Sequence, residues 1–299
     1  MSVYDCLASS QIRHVLTAHE QGACFAAEGY ARRSGKAGVV LATSGPGATN
    51  LVTGIADAYM DSVPLVAITG NVSLDKLGHD SFQEVDIFDM TMPVTKYSMI
   101  VKSAKDIAPA VRRAFSLAQS PRRGPVLIDI PSNVFDELAD YEREIPVKAE
   151  PKHPSPDDVE KAAELIAASA KPVIYVGGGA RTSGAEKEIL QLARRLNAPV
   201  AVSYMGLGCF PPDDEKYLGV LSNTNFKTSS ALRECDLFIT LGARFNSRYT
   251  AFSTLKKRKT AVLQIDVDRA EIDKNLMTSA NVVGDLKICL LYTSDAADE

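Results

Sequence analysis

No apolar run in this chain is long enough to span a bilayer, and no charged-then-apolar signal peptide opens it. No charge sign dominates: 33 Lys and Arg face 37 Asp and Glu, for a formal net charge of −4. That balance gives no footing for nucleic acid or an anionic membrane surface as partner. The five cysteines (Cys6, Cys24, Cys209, Cys235 and Cys289) are scattered and form no C-x-x-C pair, so neither a disulfide framework nor a zinc site is expected. A reducing cytoplasm suits this usage best.

Several phosphate and nucleophile motifs are also missing. Ser44-Gly45-Pro46-Gly47 lacks the Gly-Lys-Ser/Thr ending of a P-loop, and Ser44 does not sit in G-x-S-x-G. Gly177-Gly178-Gly179 follows a strand and precedes a helix, yet Thr182 stands where a dinucleotide turn needs its third glycine.

What is present is a β/α rhythm. The 299 residues are 45% hydrophobic and 23% charged, an ordinary globular balance for about two domains. Apolar runs rich in β-branched residues predict strands at 39–43, 65–69 and 126–130, with helices over 19–33, 48–60 and 104–118 between them. Residues 1–16 are expected to give a helix end and a strand. Prolines 146, 151, 154 and 156, set among charges, read as an extended linker. A second series of strands is predicted at 173–176, 200–202, 237–241 and 261–265, with helices over about 156–169, 185–196 and 227–234. The fold class expected is α/β: two parallel-sheet, three-layer domains over 1–135 and 156–288, joined by a linker at 136–155. Residues 289–299 resemble a translated sequencing adapter, and are expected to be a non-native tail too short for a last helix.

The most informative stretch runs from Thr17 to Asn50. It joins a carboxylate, Glu20, at one strand-to-helix corner to a glycine-proline turn at the next, and neighbouring strand ends of a parallel sheet share one crevice. Glu20 has two readings. One is a capping box, with Thr17 as cap and Glu20 three residues on. The other is a buried acid with a raised pKa that exchanges a proton with a ring nitrogen. Pro46 between two glycines suits a wall for a flat aromatic ligand. The long loop 70–86, with Phe82-Gln83-Glu84-Val85-Asp86, stands at the same sheet edge, either as a functional loop or as a solvated acidic one. In the second domain, Gly242-Ala243-Arg244-Phe245 and Ile265-Asp266-Val267-Asp268 end two strands. Arg244 and Asp266 there could bind a pyrophosphate and ribose hydroxyls, or form surface ion pairs.

Taken together, the segments His19–Ala23, Glu28–Arg32, Thr43–Asn50, Phe82–Asp86, Gly124–Pro131, Gly242–Phe245 and Ile265–Asp268 resemble the large catalytic subunit of acetolactate synthase, a thiamine diphosphate enzyme. The likeness runs from about Tyr4 to Lys287. It implies a pyrimidine-binding domain followed by a Rossmann-like central domain. It implies decarboxylation of pyruvate and carboligation to a second 2-keto acid, in the biosynthesis of the branched-chain amino acids isoleucine and valine. By that resemblance Glu20 bonds the pyrimidine ring nitrogen of the cofactor and Thr43, Pro46 and Asn50 line the ring. Gln83, with Phe82 beside it, lies near the reacting carbon. Arg122, Gly177, Gly178, Gly179, Gly242, Arg244 and Asp266 match contacts of a structural FAD. The family works as a homodimer or higher homo-oligomer, with a regulatory subunit in some members.

Departures accompany the likeness. The family's Mg²⁺ ligands, in a Gly-Asp-Gly…Asn motif of a third domain, have no match here; Gly284-Asp285-Leu286 lacks the third glycine. The family's opening strand and Gly-rich loop are also unmatched, and Met1 reads as an internal codon. Arg123 stands where the family has proline, and Leu221–Asn225 and Asn246-Ser247 differ from its flavin-side segments. Two alternatives stay open: another thiamine diphosphate-dependent 2-keto-acid decarboxylase or carboligase, and an inert flavin- or nucleotide-binding fragment. Glyoxylate carboligase fits less well, because that family lacks the glutamate at the Glu20 position. The polypeptide alone is expected to show no turnover.

Overall fold

The computed structural model describes residues 2–144, 150–245 and 251–296, which form two compact units that divide between Glu150 and Pro151. The first unit contains α1 (Ser2–Ala8), α2 (Glu20–Ser34), β1 (Gly38–Ala42), α3 (Pro46–Asn50), α4 (Val52–Asp61), β2 (Leu65–Asn71), α5 (Ile87–Thr91), β3 (Tyr97–Ile100), α6 (Ala104–Gln119) and β4 (Pro125–Pro131). Its four strands are all parallel, in the order β1-β2-β4-β3. β4 is buried along its whole length, as a central parallel strand should be.

Alternation along the strands divides the core. Leu65, Ala67 and Leu127 pack with Cys24, Ala27, Leu51, Ile55 and Ala58 under α2 and α4. Val66, Val126 and Ile128 face the other way, onto Ala110, Ala114 and Ala118 of α6. Helices α2 and α4 approach closely because Gly54 has no side chain: a Cβ there would lie 2.5 Å from Cys24 Sγ.

The second unit contains α7 (Pro156–Ala167), β5 (Pro172–Val176), α8 (Gly178–Ser183), α9 (Glu186–Arg195), β6 (Val200–Val202), β7 (Tyr217–Val220), α10 (Phe226–Glu234), β8 (Leu237–Leu241), α11 (Ala251–Arg258), β9 (Ala261–Asp266), β10 (Ala280–Val283) and α12 (Leu286–Ala296). Its six parallel strands run β10-β9-β8-β5-β6-β7, with the topological switch between β5 and β8. One face packs on α7, α9 and α12. The other carries an aromatic cluster of Tyr175, Phe238, Phe245 and Phe252, in which Phe245 and Phe252 meet edge to face at 5.0 Å. Each unit is therefore a parallel sheet with helices on both faces, the α/β class read from the sequence. No described helix is long and apolar enough to cross a membrane.

Two expectations are corrected. Residues 9–18 contain no strand; Val15 and Leu16 are exposed, and no described strand pairs with them. The chain does form a last helix: α12 reaches Ala296, and Cys289 and Leu290 are buried in the second unit's core. Apolar residues spaced along Leu286, Cys289 and Leu290 fit one helical face, which outweighs the segment's unusual composition.

Candidate functional site

The site is built at the carboxyl ends of β1 and β2, neighbours in the first sheet. Glu20 is the first residue of α2. His19 holds the extended N-cap conformation, and its Nδ1 accepts the Gln21 N–H at 3.1 Å. The capping box expected from Thr17 is therefore not formed; the Thr17 hydroxyl donates to the His19 carbonyl at 2.9 Å instead.

Glu20 also differs from the buried acid of raised pKa. Its side chain is partly exposed, and Asn50 Nδ2 donates to Oε2 at 3.1 Å. That hydrogen bond, with the helix N-terminal N–H of Glu20 itself, holds the carboxyl below the usual range and outweighs the effect of burial. Glu20 is ionised at neutral pH.

The turn after β1 is shaped by two glycines with different work. Gly45 has φ 60° and ψ −118°, a conformation that L side chains rarely adopt, and it caps α3 with Pro46 at the first helical position. A Cβ on Gly45 would lie 2.7 Å from the Gln83 carbonyl oxygen. A Cβ on Gly47 would lie 2.8 Å from Thr43 Cγ2 and 3.5 Å from Glu20 Oε1. The missing side chains thus let Thr43, Glu20 and Gln83 gather around one turn. Asn50, at the far end of α3, reaches back to Glu20.

Gln83 comes from the loop between β2 and α5. It too has a positive φ, 59°, and Phe82 beside it is 88% exposed. The loop is tied internally by Glu84, which accepts the N–H of Ser81 at 2.8 Å and that of Gly78. It is therefore an ordered loop, with Phe82 and Gln83 presented at its surface.

Two polar groups escaped the sequence reading. Asp129 is fully buried in β4, where it accepts hydrogen bonds from Thr69 Oγ1 at 2.7 Å and Asn71 Nδ2 at 2.6 Å. Burial pushes its carboxyl up to about 6 against the lowering effect of both bonds. An aspartate inside the apolar run Val126–Ile130 was the available signal. On α2, Arg32 bridges Glu28, Asp57 and Asp61 at 3.3, 3.5 and 2.8 Å. Burial, then the neighbouring Asp57, pushes the Glu28 carboxyl up to about 7.

In the second unit Gly177, Gly178, Gly179 and Gly242 come together where β5 and β8 end. The N–H groups of Gly177 and Gly179 donate to Leu241 and Gly242 carbonyls at 2.9 and 3.1 Å. A Cβ on Gly177 would strike Gly242 O, one on Gly179 would strike Gly242 Cα, and one on Gly178 would touch Met205. Close packing of the chain on itself accounts for these glycines, and that observation builds no ligand cradle. Asp266 ends β9, next to β8, and accepts the Asp268 N–H at 3.0 Å. Arg244 is half-buried after β8. Arg122 belongs to the first unit, where its Nε donates to Ser62 Oγ at 2.8 Å and its guanidinium lies 5.9 Å from the Tyr59 ring centre. Among the described residues no group of three or more His, Cys, Asp or Glu could hold a metal ion.

Residues 1–90 match the family model of the thiamine pyrophosphate enzyme N-terminal TPP binding domain, and residues 159–292 match that of the thiamine pyrophosphate enzyme central domain. The chain belongs to the thiamine pyrophosphate enzymes. Within them it is similar to acetolactate synthase large subunits. It is 45% identical over 294 residues to a probable acetolactate synthase large subunit of Methanocaldococcus jannaschii, covering 95% of this chain and 49% of that protein. It is 40% identical over 297 residues to the acetolactate synthase large subunit of Haemophilus influenzae, covering 96% and 52%. It is 43% identical over 298 residues to the chloroplastic acetolactate synthase of Arabidopsis thaliana, covering 97% and 44%. The chain spans about half the length of these relatives.

Proposed function

We propose that this chain supplies the pyrimidine-binding half of the active site of an acetolactate synthase large subunit. The observation that carries the proposal is the grouping of an ionised Glu20, hydrogen-bonded by Asn50, with a glycine-proline turn and Gln83. Thiamine diphosphate would fit there: a Cβ on Gly47 would stand within 3.5 Å of Glu20 Oε1, so the glycine keeps that oxygen open. When bound, the cofactor supplies an electron sink for decarboxylation of one 2-keto acid and carboligation to a second.

The residues have distinct tasks. Glu20 Oε2 takes the Asn50 N–H, which leaves Oε1 to accept a ring N–H and to hold or return its proton. Asn50 keeps the carboxyl ionised and fixes its orientation. Thr43 and Pro46 wall the ring, and Gln83 stands toward the reacting centre with Phe82 beside it. Pyruvate is the expected donor, and a homodimer the expected assembly. The diphosphate and Mg²⁺ are assigned to a part of such enzymes that this chain does not match.

The test is Glu20→Gln in an active enzyme that carries this sequence. Acetolactate formation from pyruvate should fall by about a hundredfold or more. Full activity in that variant would overturn the assignment. A flavin role for Gly177–Gly179, Gly242, Arg244, Asp266 and Arg122 is a separate reading, supported by the switch-point position of the glycines. Calorimetric titration with FAD tests it, and flat heats would reject it.

A further inference from the structure

Asp129 takes no part in the chemistry proposed above, yet it stands where the site loop begins. β2 and β4 are in register with Thr69 opposite Asp129 and Asn71 opposite Pro131. Thr69, Asn71 and Asp129 therefore share a sheet face, the one covered by α2 and α4. The two carboxylate oxygens divide their work: Oδ1 accepts from Thr69 and Oδ2 from Asn71. The Asn71 amide then passes the restraint on, since its Oδ1 accepts the Val72 N–H at 2.8 Å. Just after β4, Asn133 Oδ1 accepts the Leu74 N–H at 2.9 Å. The first residues of the 72–86 loop are thus fastened by side chains from the end of β2 and just beyond β4.

That loop ends on another fixed point. Asp86 caps α5 by accepting the Asp89 N–H at 3.0 Å, and Ile87 is buried in the core. Between the two anchors, Gln83 keeps a positive φ with its backbone against Gly45. A left-handed non-glycine residue persists only where its surroundings over-determine it.

We propose that Asp129 is a positioning residue that fastens the root of the 72–86 loop through Asn71, and so sets Gln83 against the Gly45 turn. The proposal rests on the reading of Gln83 as part of the site. Thr69 shares the carboxylate without touching the loop, which gives the test an internal control.

The experiment is hydrogen–deuterium exchange by mass spectrometry on this 299-residue chain, without cofactor. Asn71→Ala and Asp129→Asn should raise exchange over 72–84 by about tenfold and leave α6 and the second unit unchanged. Thr69→Val should leave loop exchange within about twofold of the parent. Should Asp129→Asn loosen the entire first unit, Asn71→Ala decides alone. Unchanged loop exchange in Asn71→Ala overturns the proposal, as does an equal rise in Thr69→Val. Since no turnover is measured, such a result leaves the Glu20 assignment standing. In an active enzyme carrying this sequence, Asn71→Ala should lower kcat, and should add nothing further on a Gln83→Ala background. Additive losses would also overturn it, because they would show the loop root acting by another route.

Discussion

Gly45 and Gln83 meet backbone to backbone, both at positive φ, 60° and 59°. The contact leaves 2.7 Å between the Gln83 carbonyl oxygen and the place a Gly45 Cβ would occupy. Gly45→Ala therefore adds backbone strain and a clash together. Thermal or denaturant unfolding should register a loss of roughly 1–3 kcal/mol in the first unit. A neutral outcome would mean that the loop can withdraw from the turn.

Asn50 governs the charge of Glu20 across thirty residues of sequence. Asn50→Leu removes the largest influence lowering that carboxyl. The Glu20 titration, followed by NMR of its side-chain carboxyl carbon, should move upward toward the ordinary glutamate range. An unmoved midpoint would transfer the effect to the helix terminus.

Glu28 predicts a pH dependence of stability. Its folded-state carboxyl titrates near 7, above the 4.5 of an unperturbed glutamate. The folded chain thus holds a proton that the unfolded chain has released. This contribution is complete below about pH 4.5 and is lost as pH rises through about 7. Glu28→Gln should flatten that slope, by roughly 1–3 kcal/mol between pH 4.5 and 7.5 in denaturant unfolding. A steeper slope in the variant would contradict the sign.

Helix α12 offers a stability comparison between adjacent leucines. Leu290 is buried in the core and Leu291 is exposed by about half. Leu290→Ala should cost about 2–4 kcal/mol in the second unit and Leu291→Ala less than about 1. Equal small effects would show that this helix does not pack as described.

The central strands β2, β4, β5, β6, β8 and β9 were legible because burial demanded continuous apolar runs, and the edge strand β1 because its sequence Gly38–Ala42 is apolar throughout. The strands that escaped, β3, β7 and β10, all lie at sheet edges. Their residues are nearly all half-buried, so Tyr97–Ile100 and Tyr217–Val220 carry no apolar run to read. α8 escaped because it opens on Gly178 and Gly179, poor helix formers packed against Met205 and Gly242. Motif and resemblance singled out Glu20, Thr43, Pro46, Asn50 and Gln83, and the fold gathers Glu20, Thr43, Asn50 and Gln83 about the turn at Gly45 and Gly47. The charge state of Glu20 was not legible in the sequence, because it depends first on the Asn50 hydrogen bond, which folding brings from thirty residues away. Asp129 was hidden by its apolar neighbours, and its partners Thr69 and Asn71 come from another strand.

β1 sits at the rim of the first sheet, with β2 on one side and, among the described residues, no strand on the other. Its Val39 is 42% exposed. Such a rim is a template on which like chains can zip together, so self-association of this polypeptide is expected to rise with concentration. Light scattering should grow with protein concentration, and Val39→Lys should suppress that growth while the melting temperature stays within a few degrees. A scattering profile untouched by Val39→Lys would locate any self-association elsewhere on the surface.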